Sequence, residues 1–143
     1  LELRPVRPSD FPSLATTIAA AFGTKPKPVE TYTGLHAGAY HDGDFDLVVT
    51  APDEDVVAAC TGWYDPGSRT ALIEPVSCHP GYRRRGLARA LVSGCMDRLA
   101  LRGARSIHLN TTHENEGARD LYRSLGFQVT GFDRDWVLDL RAT

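Results

Sequence analysis

The feature that most constrains this chain is a change of period in its middle. Thr70 to Cys78 is strand-like, but beyond His79-Pro80-Gly81 the apolar residues recur at helical spacing, with Leu87, Leu91, Cys95 and Leu99 on one stripe reinforced by Ala88 and Val92. Gly103 stops that helix, and Ser106 to Asn110 follows as a short strand. A strand, a helix and a strand in succession make a crossover, which lays the two strands parallel in one sheet.

The rest of the chain is arranged around that unit. Leu1 to Pro5 alternates weakly and predicts a strand, after which Ser9 and Asp10 stand where they can cap a helix carrying Leu14, Ile18, Ala21 and Phe22 on one face and ended by Gly23. Lys25-Pro26-Lys27-Pro28 is a loop, and Val29 to Tyr40 reads as a second helix offering Tyr32, Leu35 and Tyr40 for packing. Phe45 to Ala51 and Val56 to Tyr64 flank Pro52-Asp53-Glu54-Asp55, and Asp65-Pro66-Gly67-Ser68 turns into Thr70, so three antiparallel strands are expected in succession. Past Asn110, Glu114 to Leu125 reads as a helix closed by Gly126, with strands over Phe127 to Thr130 and Asp135 to Leu140. The expected fold class is mixed α/β (α+β), a mostly antiparallel sheet with a parallel strand pair at its centre, flanked by four helices.

Composition narrows what such a fold can do. At 143 residues a single domain over 1–143 is expected, large enough to bury a core without disulfides or a structural metal. A formal net charge of -2 gives no global attraction to nucleic acid or anionic membrane, so any anion site has to be local. Cys60, Cys78 and Cys95 are odd in number, far apart and in apolar surroundings, which predicts reduced, mostly buried thiols. No apolar run is long enough to span a membrane and Leu1-Glu2-Leu3-Arg4 lacks the features of a signal peptide, so the expectation is a soluble cytoplasmic protein.

A local anion site is what Arg83-Arg84-Arg85-Gly86-Leu87-Ala88 offers. It lies where a strand hands over to a helix, so unpaired backbone amides converge at a positive dipole end. Small residues at Gly86 and Ala88 let a phosphate approach the backbone, and the arginines can add charge-assisted bonds at the rim. The alternative is a solvated cluster of Arg83, Arg84, Arg85 and Arg89. Four cations in the first turn oppose the helix dipole at roughly 0.3 kcal/mol or more each, so the arrangement makes better sense with a polyanion there. No Gly-Lys-Ser/Thr follows and the dinucleotide glycine spacing is absent, so this is neither kind of nucleotide loop.

Arg83-x-x-Gly86-x-Ala88 resembles the Gln/Arg-x-x-Gly-x-Gly/Ala signature of the GCN-related N-acetyltransferase (GNAT) superfamily. Asn115-x-x-Ala118-x-x-Leu121-Tyr122-x-x-x-Gly126-Phe127 resembles that superfamily's other common motif, correctly placed after a helix and a strand. The resemblance implies acetyl-CoA as cosubstrate, its pyrophosphate held by the backbone amides of Arg84, Gly86, Ala88 and Arg89, with the side chains mainly screening. It implies that Val76 and Cys78 pair through their backbone with the pantetheine arm, and that an amide near Val76 faces the thioester oxygen. Pro75 independently suits a bulge or splayed edge, since it cannot donate a ladder bond.

Acetyl transfer to an amine needs a neutral amine, a polarised carbonyl and a stabilised leaving thiolate. A lysine-like amine, with a pKa near ~10.4, must first lose a proton. Glu74, two residues before Val76, is the nearest carboxylate to the expected thioester and the candidate base; a positioning role is the alternative. The resemblance makes Tyr122 the general acid toward the thiolate, where residue pattern alone would give a packed helix face. Asn115 is either a helix cap or a coenzyme contact. His79, His108 and His113 show no metal-ligand spacing with a partner histidine, and no metal is expected. Attack is direct in this family, so Cys78 need not form an acyl-enzyme.

The implied activity is N-acetyl transfer to a primary amine of unidentified kind, with a non-catalytic acyl-CoA-binding domain as the rival. Nucleic acid is not an expected partner, because the charge is negative overall and no aromatic-basic platform appears. Phe22 to Tyr40 and Phe132 to Trp136 are the segments expected to choose the acceptor. Asp42, Asp44 and Asp46 read as a solvated loop or a cation attractor, and a homodimer is expected by resemblance alone.

Overall fold

The computed structural model describes residues 1–134 and 136–142, without the side chain of Ala142. Five strands form one sheet in chain order: β1 (Glu2–Pro5), β2 (Asp46–Thr50), β3 (Val56–Asp65), β4 (Thr70–Cys78) and β5 (Ser106–His108). Neighbours are antiparallel except β4 and β5, which are parallel. Between them come the helices α1 (Phe11–Phe22), α2 (Val29–His36) and α3 (Leu87–Arg102), and α4 (Glu116–Ser124) follows β5. The fold is mixed α/β, as expected. The chain divides into two compact units, Leu1–Asn110 and Thr111–Thr143.

All five residues of β2 and the first seven of β3 are buried, because helices cover both faces of the sheet there. On one face Phe11, Leu14 and Ala15 of α1 and Tyr32 of α2 pack with Val48, Val56 and Ala59. On the other lies α3, where Leu91, Val92, Cys95 and Leu99 are fully buried, each leucine contributing about 2 kcal/mol. The approach of α3 is close enough to dictate a residue in β3. A Cβ at Gly62 would stand 2.7 Å from Cys95 Sγ and 3.0 Å from Phe45 Cβ.

Several local expectations shift. Asp10 does not cap α1 with its side chain; it takes a two-pronged bond from buried Arg4, at 2.8 Å on each oxygen, and a third from the Arg7 amide. That ion pair ties β1 to the start of α1. The buried face of α1 runs through Phe11, Leu14, Ala15 and Ala19; Phe22, about three turns on from Phe11, shares that face but is exposed at the helix's last residue. Helix α2 ends at His36, ahead of Gly38, so Tyr40 lies outside it and is exposed.

The largest difference lies after α4. No strand forms over 127–134 or 136–139; Val129, Phe132 and Val137 are exposed there, and Asp135, the first residue of the last expected strand, lies outside the described residues. Alternation specifies which side of a strand would be buried but cannot supply the neighbouring ladder that makes one. Among the described residues β5 is the last strand of the sheet, so the parallel pair stands at its margin rather than its centre.

Candidate active site

The site is built on an irregularity in β4. Its pairing with β3 runs Ala58↔Cys78 to Cys60↔Val76, then resumes one residue out of step at Gly62↔Ile73, opposite Glu74 and Pro75. Pro75, which has no amide hydrogen, falls where the ladder breaks. The indole Nε1 of Trp63 donates to the Glu74 carbonyl at 2.9 Å and braces the break. On the other side, β5 pairs only with Thr70, Ala71 and Leu72. From Ile73 to Cys78 that edge of β4 has no strand partner among the described residues. A splayed, half-satisfied edge of this length fits an extended, hydrogen-bonding ligand arm.

The edge leads into a tight turn. His79 donates its amide to Val57 O at 2.8 Å, its Nδ1 accepts from the Gly81 amide, and the Tyr82 amide returns to His79 O. The backbone then enters the left-handed region at Arg84 (φ 62) and again at Gly86 (φ 77), and α3 begins at Leu87. Nothing lies within 4 Å of a Cβ built on Gly86, so the space in front of the turn is open; its conformation is what calls for glycine. Leu87 and Ala88 stand in the first helical turn, where amides lack intrahelical partners and the dipole is positive. The residues present therefore fit a phosphate-bearing ligand.

The arginines of the turn have different duties. Arg83 donates to the Ala21 carbonyl near the end of α1 at 3.0 Å, and the Arg85 guanidinium lies 5.0 Å over the ring of Tyr82. Arg84 and Arg89 are exposed. Burial pushes the Cys78 thiol up against a weaker opposing pull from Arg83, which suits a thiol that stays protonated. Glu74 is exposed and Val76 half-buried, with the register break between the strands falling beside them.

In the second unit, Asn115 caps α4 by accepting from the Ala118 amide at 3.1 Å. Tyr122 packs edge-on against Phe127, ring centres 6.0 Å apart, and the Phe127 amide closes back onto Tyr122 O past Gly126 (φ 95).

Two features of the first unit escaped the reading of the sequence. A groove of about 500 Å³ lined by Tyr40, Trp63, Tyr64, Leu72 and His108 opens at the start of β4, the opposite end from the turn. Its members come from four elements or loops, so no local pattern announces it. The second is a buried cluster in which His36 Nε2 and His41 Nε2 lie 2.9 and 2.8 Å from the same oxygen of Asp46. Burial lowers the His36 pKa, against Asp46, which raises it, and with His41, which lowers it further. Asp46 is thus no part of a solvated loop, whereas Asp42 and Asp44 are bound by Arg102 at 2.7 and 2.8 Å. The signal was available as equal spacing, His36-x4-His41-x4-Asp46.

Residues 13–127 match the Acetyltransferase (GNAT) family, and the chain belongs to it. A curated acetyltransferase, ECA0875 of Pectobacterium atrosepticum, is 33% identical over 62% of this chain and 61% of its own length, so the match spans about three fifths of that relative. Among solved structures, the ribosomal-protein-S18-alanine N-acetyltransferase of Escherichia coli superposes with a TM-score of 0.78 at 22% identity, covering 98% of this chain and 85% of that one. Diaminobutyrate acetyltransferase EctA of Paenibacillus lautus, solved with its substrate and coenzyme A, gives 0.73 at 20% identity over 87% and 73% of the two chains. At those identities the likeness is one of fold.

Proposed function

We propose that the chain is an acetyl-CoA-dependent N-acetyltransferase that acetylates a primary amine by direct attack within a ternary complex. The observation that supports this most is the edge of β4 from Ile73 to Cys78, without a strand partner among the described residues, running into the left-handed turn at Gly86. The pantetheine arm adds to that edge through the backbone of Val76 and Cys78, and the pyrophosphate rests on the amides of Arg84, Gly86, Ala88 and Arg89.

The amine nitrogen forms a bond to the thioester carbonyl carbon, the carbon–sulfur bond breaks, and its electron pair leaves on sulfur. Glu74 takes the proton the amine gives up, and Tyr122 supplies one to the departing thiolate, so the products are an acetamide and free coenzyme A thiol. An amide near Val76 polarises the carbonyl, a contribution of about 3 kcal/mol in comparable sites. The acceptor enters from the groove of Tyr40, Trp63 and Leu72, whose aromatic walls accommodate the carbon skeleton behind the amine.

The test is thiol release from acetyl-CoA by the purified protein over a panel of small amines, peptide N-termini and lysine peptides. Amine-dependent release, with Tyr122→Phe and Glu74→Gln lowering kcat, is the expected result. Tight coenzyme A binding without amine-dependent release would instead make the chain a non-catalytic acyl-CoA-binding domain.

A further inference from the structure

The His36, His41 and Asp46 cluster has a composition and placement that acetyl transfer does not use. Its ligand atoms, one per residue, all lie within 4.8 Å of one another. They come from three separate pieces of backbone: the last residue of α2, the loop after it and the first residue of β2. The side chains are 16%, 6% and 3% exposed, so the polar centre is enclosed.

Each member is held from behind. The Oδ1 of Asp46 accepts from the Thr61 hydroxyl at 3.1 Å, which fixes the carboxylate plane and leaves Oδ2 for the imidazoles. The His36 ring is packed edge-on against Phe11 at 4.7 Å between centres, and His41 faces Trp63 at 6.2 Å. The loop between His41 and Asp46 is anchored to α3 by Arg102, which grips Asp42 and Asp44 and lies 4.9 Å over the Phe45 ring. A carboxylate oriented by a hydroxyl, two imidazoles and an aromatic shell are the layers that metal centres display.

From this geometry we propose that His36, His41 and Asp46 form a binding site for one divalent transition-metal cation of the zinc class. Two imidazole nitrogens and one carboxylate oxygen suit zinc, cobalt or nickel and are the wrong donors for calcium or magnesium, which take oxygen. Thiolate selection is absent, since Cys60 and Cys95 bond to Leu91 O and Phe45 O on the α3 side of the sheet. Donors about 2.0–2.2 Å from a tetrahedral cation stand about 3.4 Å apart, so the imidazole nitrogens, now 2.9 and 2.8 Å from Asp46 Oδ2, draw back slightly to admit the ion while Thr61 holds the carboxylate. Three protein donors leave a fourth position for water or an exogenous ligand. The bound ion links α2, its following loop and β2 at Asp46, the residue that pairs with Thr61 of β3.

The test reads metal binding directly and is independent of acetyl transfer. The tag-free chain is stripped with a chelator and titrated with cobalt(II), then zinc(II), by visible absorption and calorimetry. The expected result is one equivalent bound, cobalt bands of a low-coordinate nitrogen and oxygen site, and their displacement by zinc. Thr61→Val weakens binding ~10-fold or more, as loss of an orienting group does elsewhere. The His36→Ala/His41→Ala double variant loses the site, while His113→Ala leaves it intact. A wild-type chain that binds no equivalent at micromolar metal, whatever the variants do, overturns the proposal and leaves a hydrogen-bonded trio. Retention of the bound equivalent by the double variant overturns it too.

Discussion

The turn at Gly86 and the cluster at Asp46 are both polar sites on one sheet, yet they are made of different material. The turn is solvent-open and consists of backbone: left-handed φ at Arg84 and Gly86, then the first amides of α3. The cluster is enclosed and consists of side chains from three elements. A backbone site is specified by few local residues and tolerates variation in side chains around it. A side-chain site depends on packing at distance, and each of its members is costly to change.

That contrast gives the largest expected effect. Asp46→Asn removes the charge that Thr61 Oγ1 and two imidazoles address inside a closed pocket. Breaking such a buried arrangement from one side costs about 3 kcal/mol, to be read as a shift in the urea midpoint at unchanged slope. Coenzyme A affinity of the folded variant should stay close to wild type. A variant of full stability, or one whose main defect is coenzyme binding, would break the comparison.

Gly86→Val should show the converse. A β-branched residue at φ 77 is strained and pushes the turn out of the conformation that presents its amides. If ~2 kcal/mol of that strain falls on the bound state, coenzyme A binds about 30-fold more weakly, measurable by calorimetry. Because nothing occupies the space in front of Gly86, the thermal midpoint should move less than for Asp46→Asn.

The same contrast explains what could be read beforehand. The bounds of β4 and the stop of α3 at Gly103 follow from period, a glycine and a short apolar stripe, all local, but the helix starts at Leu87, so Arg83, Arg84 and Arg85 precede it rather than standing in its first turn. The turn was legible for the same reason, and of the two readings of Asn115, cap or coenzyme contact, the cap is the one its bond to the Ala118 amide makes. His36, His41 and Asp46 are equally spaced, but an interval of five residues matches neither the helical nor the strand period, and Asp46 resembles its neighbours Asp42 and Asp44 in sequence although β2 buries it. The tail after Gly126 alternates in apolar residues without a ladder, so its pattern overstated its structure. The gap beside Ile73–Cys78 was hinted at by Pro75 and, through the family resemblance, by the expected pairing of Val76 and Cys78 with a cofactor arm.

Asp10 sharpens the comparison from a third position, as a buried carboxylate with a full-time cation. Burial would raise its pKa, but the bonds from Arg4 and the Arg7 amide outweigh that and hold it below the usual carboxylate value. A depressed carboxylate contributes its full stabilisation above an unfolded pKa of about 3.9 and loses it as pH falls through the lower, folded value. Acid unfolding of the wild type should therefore steepen below about pH 4. Arg4→Met should flatten that limb in fluorescence-monitored titrations; an identical limb in both proteins would remove Asp10 from the account.

Arg83→Ala is the smallest effect and the most discriminating. The sequence places Arg83 at the head of the phosphate signature, but its guanidinium donates to Ala21 O at 3.0 Å and so serves the end of α1. Losing one exposed bond to a carbonyl costs about 0.5–1 kcal/mol, and it should appear as a small drop in the thermal midpoint. If the backbone rather than the side chain holds the pyrophosphate, coenzyme affinity should fall by no more than a few-fold and its salt dependence should barely change. A loss as large as that of Gly86→Val, greatest at low ionic strength and shrinking as salt is raised, would mean that the arginine leaves α1 when the ligand arrives. The turn would then be a side-chain site after all.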